Sequence, residues 1–184
     1  MKELKIEFTD KEITPWGGMV LLKNMLDQTG LKQFLKSSPF LPQPGSNRGY
    51  SPEQVIESFI VSVWCGANRF LHTEILREDT PLSRIFEWER RPGQDVYKRY
   101  LGKFTQKINQ GFFNELNRWY FSQLQFTDYT IDFDSTVMTL YGEQEWAKRG
   151  YNPSKRGRAS HHPLMAFISD CNMVVNMWLR SGDS

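Results

Sequence analysis

Residues 128–167 read DYTIDFDSTVMTLYGEQEWAKRGYNPSKRGRASHHPLMAF and contain the most informative pattern in the chain. At their start, Ile131, Phe133 and Val137 alternate with Asp132 and Asp134. This period of two predicts a half-buried β-strand with both carboxylates on one face, roughly 7 Å apart. Carboxylates mounted on an apolar strand suit a hard divalent cation, so Asp134 and Asp132 are candidate metal ligands. The alternative interpretation is a solvated strand face.

The same segment continues into a loop that is rich in glycine and basic residues. Lys148, Arg149, Lys155, Arg156 and Arg158 occur there with no acidic residue between them. Cations collected in this way attract phosphate groups. A candidate metal ligand is therefore followed directly by a candidate phosphate-binding segment.

Three motifs occur here in order: IDFDST, YG-x-QE-x-A-x-x-GYNP and GR-x-S-x-HP-L-x-AF. They resemble the start of the ribonuclease-H-like catalytic domain of DDE transposases from bacterial insertion sequences. Upstream, GGMVLLKNML, YSPEQVIESFIVSVWCGANRF, LREDTPL and RYLGKF resemble the same family, so the resemblance covers nearly the whole chain. In that family the first catalytic aspartate precedes a small hydroxylated residue on the first strand. The resemblance therefore points to Asp134, which precedes Ser135, as the catalytic residue, with Asp132 as the secondary candidate.

The resemblance implies cut-and-paste transposition by metal-dependent phosphoryl transfer at transposon ends. The implied cofactor is Mg²⁺, or Mn²⁺, and Asp134 would bridge two ions about 4 Å apart. The implied partners are the DNA of the transposon ends and the target, and further copies of the chain in a homo-oligomer. Near the DNA backbone the resemblance places Tyr151, Lys155, Arg156 and Arg158. His161 and His162 are weaker candidates for which a structural role is equally open.

Composition limits the class of protein. The chain has 184 residues, of which 39% are hydrophobic and 24% charged, so it is globular, and its net charge of +2 leaves DNA affinity to local patches. Its two cysteines, Cys65 and Cys171, exclude a disulfide framework and have no metal-type spacing. The N-terminus lacks the apolar segment of a signal peptide, and no apolar run is long enough for a membrane span. These features predict a cytoplasmic protein without a membrane segment.

Residues 1–126 are predicted to form a helical, DNA-binding region. At the start of this region, Leu4, Ile6 and Phe8 alternate with charged residues and suggest a short strand or arm that precedes the helices. Gly30 is predicted to separate two helices. A further helix is predicted to begin after Ser51 with a capping box to Gln54, and another is predicted with Thr80 as its cap.

A basic ridge is predicted on a helix over Asp95–Ile108. Arg99, Lys103 and Lys107 recur there at every fourth position, opposite the apolar side. The ridge is a candidate DNA contact, and a solvated helix face is the alternative. The Pro-Gly turn before this segment also suits a helix-turn-helix motif, although that pattern has low specificity.

Beyond the basic loop, Leu164–Ile168 predicts a strand buried on both faces, and alternation over 173–179 predicts another. The predicted fold class is α+β: a helical region over 1–126, then over 127–184 the first three strands of a ribonuclease-H-like mixed sheet. A complete domain of this type needs a second aspartate and a glutamate further on, which predicts a truncated transposase that is itself inactive. The alternative function is a non-catalytic DNA-binding fragment or regulator that competes with intact transposase.

Overall fold

The computed structural model describes residues 7, 9–46, 48–125 and 127–184. The chain divides into two compact units, Met1–Gln123 and Leu124–Ser184, which are described separately below. The described part of the first unit is helical and the second contains the strands, which confirms the predicted α+β class. Leu4, Ile6 and Phe8, predicted to form a strand or arm, lie outside the described residues.

The first unit has seven helices in its described part. They are α1 (Met19–Thr29), α2 (Leu31–Ser37), α3 (Pro52–Trp64), α4 (His72–Arg77), α5 (Thr80–Ile85), α6 (Gln94–Leu101) and α7 (Gln106–Gln123). Within the described part of the chain, no helix combines the length and apolar composition needed to cross a bilayer.

Apolar stripes on these helices meet in one main cluster that includes Leu35, Val61, Leu82 and Phe86. All four side chains are fully buried. Removing such side chains from water is the main stabilising contribution to a helical unit. The core also encloses the carboxylate of Glu57, which accepts a hydrogen bond of 2.9 Å from the indole of Trp88. That bond satisfies a group that is otherwise costly to bury.

Helix boundaries test the predicted caps. Gly30 has a φ of +69° and separates α1 from α2, as predicted, because a left-handed residue cannot continue a helix. The predicted capping box is wrong: Ser51 makes no side-chain cap, and the Gln54 amide donates instead to the carbonyl of Arg90. Asp79, not Thr80, caps α5 by accepting from the Leu82 amide at 2.7 Å.

The predicted single helix over Asp95–Ile108 is also wrong. α6 ends at Leu101 and Gly102 follows it. Thr105 then starts α7, its hydroxyl accepting from the Ile108 amide at 3.3 Å. Glycine is a poor helix former and threonine a good cap, so this segment favours two helices over one. Residues 86–93 separate α5 from α6, a connection longer than the short turn of a helix-turn-helix motif.

The second unit contains two three-stranded antiparallel sheets. The strands are β1 (Ile131–Ser135), β2 (Met138–Thr139), β3 (Lys148–Arg149), β4 (Ala159–His161), β5 (Leu164–Ile168) and β6 (Met173–Trp178). The main sheet has the order β1-β5-β6, and the small sheet has the order β2-β4-β3. The three long strands lie where the sequence predicts them, whereas the ribonuclease-H-like arrangement stays a prediction.

The main sheet is more exposed than predicted. Every residue of β1 is exposed, including Phe133 at 72%, so the predicted half-buried strand is wrong. β5, predicted to be buried on both faces, is half-buried, with Ile168 as its one fully buried residue. The physical reason is that residues 127–184 contain no helix to cover either face of this sheet.

Residues 150–158, which include Lys155, Arg156 and Arg158, form a loop between β3 and β4, as predicted. Lys148 and Arg149, which were predicted to belong to the same loop, instead form β3 of the small sheet. The small sheet lies between β1 and β5 in the chain, and its central strand β4 is separated from β5 only by His162 and Pro163. Proline has no amide hydrogen for a ladder, which favours a break at this point. The carbonyl of Pro163 instead accepts from the Thr136 amide at 3.2 Å, and this bond is one link between the two sheets.

Candidate functional site

The candidate metal ligands lie on β1 of the main sheet. Asp132 pairs across the sheet with Phe167, and Asp134 pairs with Met165, so the two carboxylates share one face as predicted. Both aspartates are exposed. The carboxylate of Asp132 accepts a short hydrogen bond from the Ser169 hydroxyl. The carboxylate of Asp134 has no hydrogen bond or ion pair to another described residue, so its oxygens are free for an added cation.

The fit of these residues to a metal ion is partial. Two carboxylate groups on one face have the chemistry that Mg²⁺ prefers. However, no group of three or more His, Cys, Asp or Glu side chains gathers among the described residues. A two-ion site needs more ligands than one strand pair supplies. Asp134 and Asp132 therefore match part of such a site, and the described residues do not complete it.

The basic segment is held in place by Asn152, a residue that the sequence analysis did not single out. Asn152 is buried, and its side-chain amide donates to the Thr139 hydroxyl at 2.9 Å. Its side-chain oxygen accepts from the Lys155 amide, also at 2.9 Å. Asn152 therefore fixes the backbone from which Lys155 projects. The Asn-Pro pair at 152–153 was the available signal, because such pairs favour turns.

The side chains of this segment point into solvent. Lys155, Arg156 and Arg158 are exposed, and Tyr151 is 75% exposed. The guanidinium of Arg158 lies 5.5 Å from the centre of the Tyr141 ring, at cation–π distance. The loops that connect the strands of the small sheet thus present cations and aromatic rings together.

Lys148 of β3 differs from these cations because it has an acidic partner. Its ammonium lies 3.1 Å from the carboxylate of Asp183. Hydrogen bonds from Ser181 and then Lys148 lower the pKa of Asp183. The positive charge of Lys148 is therefore partly compensated by the carboxylate of Asp183.

Both histidines of the segment are buried in the small sheet. The ring of His161 donates to the Glu145 carbonyl at 2.8 Å. The ring of His162 lies 3.3 Å from the Ser160 hydroxyl, and its backbone amide donates to the Arg180 carbonyl. These contacts give both histidines a structural role.

The predicted basic ridge is distributed over three elements. Arg99 lies on α6, Lys103 in the turn after it and Lys107 on α7. All three are exposed. The ammonium of Lys103 also donates to the backbone carbonyl of Gln43 at 3.0 Å, so one of its N–H groups is already hydrogen-bonded. The three cations do not form the single helical stripe that their spacing predicts.

The family described as "Transposase DDE domain group 1" matches residues 1–184. No curated protein and no solved structure matches the chain. The match covers the whole sequence, so the chain belongs to the DDE transposase domain family, and the predicted resemblance is confirmed.

Proposed function

We propose that this chain acts in DNA transposition by metal-dependent phosphoryl transfer at the ends of a mobile element, with Asp134 as a catalytic carboxylate. The observation that carries the proposal is the position of Asp134 on the first long strand of a chain that belongs to the DDE transposase domain family. The Ser-Thr pair follows it directly, as the resemblance requires.

Asp134 is the stronger of the two strand candidates. Its carboxylate is exposed and has no described partner, whereas Asp132 is engaged by the Ser169 hydroxyl. A bound Mg²⁺ or Mn²⁺ would supply an activated water and stabilise the departing oxygen. Asp134 would hold such an ion by direct ligation, and Asp132 would orient the strand through its bond to Ser169.

The main sheet supports a ribonuclease-H-like arrangement as part of this proposal. Its three long strands run antiparallel with β5 in the middle, which is how that fold begins. β1 lies at an edge of the sheet, so both the backbone and the carboxylate of Asp134 are accessible.

DNA is the proposed substrate and partner. Lys155, Arg156 and Arg158, with Tyr151, would contact the phosphate backbone from the loop between β3 and β4, because they are exposed without an acidic neighbour in sequence. Arg99, Lys103 and Lys107 would contact phosphates from the helical unit. Each phosphate neutralised releases counterions, which makes such binding sensitive to salt.

A second candidate function is DNA binding without catalysis, as a regulator that competes for element ends. The observation that favours it is the absence of a cluster of three or more metal-ligating side chains among the described residues. The two candidates share the DNA-binding surfaces and differ only in strand cleavage.

One experiment separates them: excision of a marked element in cells, together with DNA binding by the purified chain. Asp134→Asn should abolish excision, while the affinity for element ends stays within about twofold of wild type. Asp132→Asn is the matched control, and we expect it to retain partial excision. Excision at the wild-type rate in Asp134→Asn would remove Asp134 from the site, and DNA binding without any excision by the wild type would favour the regulator.

A further inference from the structure

A cleft of about 500 Å³ opens in the second unit where the chain that follows β6 passes the small sheet. Its lining includes two indoles, two cationic side chains and a hydroxyl, from Trp146, Trp178, Lys148, Arg180 and Ser181. The volume lies within the range of small-molecule and nucleotide sites. Neither the carboxylates of β1 nor the exposed cations at 155–158 line it.

The two indoles are unusually exposed for their size. Trp146 is 55% exposed and Trp178 is 64% exposed. Exposed tryptophan rings in a concave site carry large faces that are available for stacking.

The backbone of Trp146 is held in a conformation that bulky residues rarely adopt. Its φ is +63°, in a turn closed by a bond from the Ala147 amide to the Gln144 carbonyl. The buried ring of His161 donates to the carbonyl of Glu145, one residue before Trp146. A glycine would normally occupy this position, and strained residues of this kind concentrate at binding sites.

The cations of the cleft have fixed positions. The Nε of Arg180 donates to the His162 carbonyl at 3.0 Å, which leaves the outer nitrogens of its guanidinium for an anion. Lys148 is paired with Asp183, whose carboxylate partly offsets its charge. The cleft therefore combines stacking surfaces with one unneutralised and one partly neutralised cation.

We infer that this cleft binds an unpaired nucleotide of a DNA strand, with the base against the indoles of Trp146 and Trp178 and the phosphate against Arg180 and Lys148. Aromatic rings with adjacent cations are the usual means of holding single-stranded nucleic acid, because every base has a face that stacks. The inference rests on the proposed function, from which it takes DNA as the substrate. It adds that the strand is unpaired where it meets the small sheet.

The test compares two DNA ligands by fluorescence anisotropy with the purified chain. One is a fully paired duplex, and the other is the same duplex with a single-stranded extension of five thymidines. The wild type should prefer the extended duplex by roughly tenfold. Trp178→Ala and Trp146→Gly should each reduce that preference by at least about fivefold, the lower range of base stacking on aromatic rings. Their affinity for the paired duplex should not change.

Three variants serve as controls. Glycine at position 146 removes the ring and suits the positive φ, so this variant should keep its fold, which circular dichroism would check. Met177→Ala removes a side chain of similar exposure that does not line the cleft, and it should leave the preference unchanged. Trp178→Phe should retain most of the preference, because a smaller ring still stacks.

Asp183→Asn tests the direction of the charge effect. Freeing Lys148 from its carboxylate should tighten binding of the extended duplex by a few fold, and Lys148→Gln should weaken it.

Equal affinity for both ligands in the wild type would overturn the inference while leaving the proposed function in place. Failure to bind either DNA would overturn both. Binding of free thymidine monophosphate as tightly as the extended duplex would assign the cleft to a free nucleotide and overturn the role in strand binding.

Discussion

Gly150 lies so close to Gly182 that a Cβ atom on Gly150 would be 1.7 Å from the carbonyl oxygen of Gly182. A Cβ on Gly182 would in turn lie 2.2 Å from the carbonyl oxygen of Lys148. Backbone therefore packs on backbone where the chain after β6 meets the small sheet. Only glycine permits this approach, and the cleft depends on it because residues from both sides line it.

Gly150→Ala should separate these two segments. The atoms that the added methyl group would meet belong to the backbone, which cannot move aside as a flexible side chain could. We therefore expect a loss of about 1–3 kcal/mol in the stability of the small sheet. Hydrogen exchange of the backbone amides over 144–162 would measure it. Gly45→Ala is the control, since a Cβ there meets no atom of the described residues within 4 Å. Unchanged exchange in Gly150→Ala would contradict the packing described.

Tyr100 and Tyr97 offer a matched pair in the core of the helical unit. The hydroxyl of Tyr100 is buried without a hydrogen-bond partner among the described residues, whereas that of Tyr97 contacts the Ser58 hydroxyl at 3.0 Å. Tyr100→Phe should therefore stabilise the unit by about 1 kcal/mol, and Tyr97→Phe should destabilise it by a similar amount. Urea denaturation followed by circular dichroism would show the opposite signs. Destabilisation by Tyr100→Phe would imply a partner for its hydroxyl.

The two cysteines should react at very different rates. Burial raises the pKa of Cys65 to about 11, and Cys171 is exposed. The thiolate is the reactive form, so at pH 8 only about a thousandth of Cys65 is reactive. A maleimide should label Cys171 quickly in the folded chain and the half-buried Cys65 far more slowly, with unfolding accelerating the second reaction. Cys171→Ser should lose the fast phase, and a fast phase that persists in this variant would contradict the raised pKa of Cys65.

Neutralising Lys155, Arg156 and Arg158 together should weaken DNA binding and reduce its salt dependence. If all three contact phosphates, the slope of log affinity against log salt should fall by roughly two to three units. Binding titrations at several salt concentrations would measure the slope. Substituting the exposed Lys32 and Lys36 by glutamine provides the control, for which we expect no comparable change. An unchanged slope in the triple variant would make the segment a solvated surface.

The helical part of the fold was partly predictable because its signals are local. Gly30 ends a helix by its own conformation, and the start of α3 follows from proline at position 52. The cap of α5 is less certain from sequence because aspartate and threonine, both good caps, are adjacent there. The apolar spacing over 95–108 predicts one continuous helix because it persists across Gly102, where the chain in fact turns.

The strand region shows where local signals end. β1, β5 and β6 are long enough for alternation to be visible in the sequence, whereas β2 and β3 have two residues each and carry no periodic signal. The exposure of Phe133 depends on whether another element packs on that face of the sheet, and the alternation of residues along β1 carries no information about this. Trp146 and Trp178 come together through non-local pairing, so their cleft was not foreseen. The role of Asp134 stays a prediction, because ligation depends on residues brought together in space.

The contact between Ser181 and His161 also has a mechanical consequence. Antiparallel bridging there, and the bond from the His162 amide to the Arg180 carbonyl, fasten the chain to β4 just after it leaves β6. Tension applied at Ser184 would therefore load these bonds and the Gly150 contact before it reached the hydrogen bonds between β5 and β6. A pull on Ser184 would therefore be resisted first by the small sheet and only afterwards by the strand that carries Asp134.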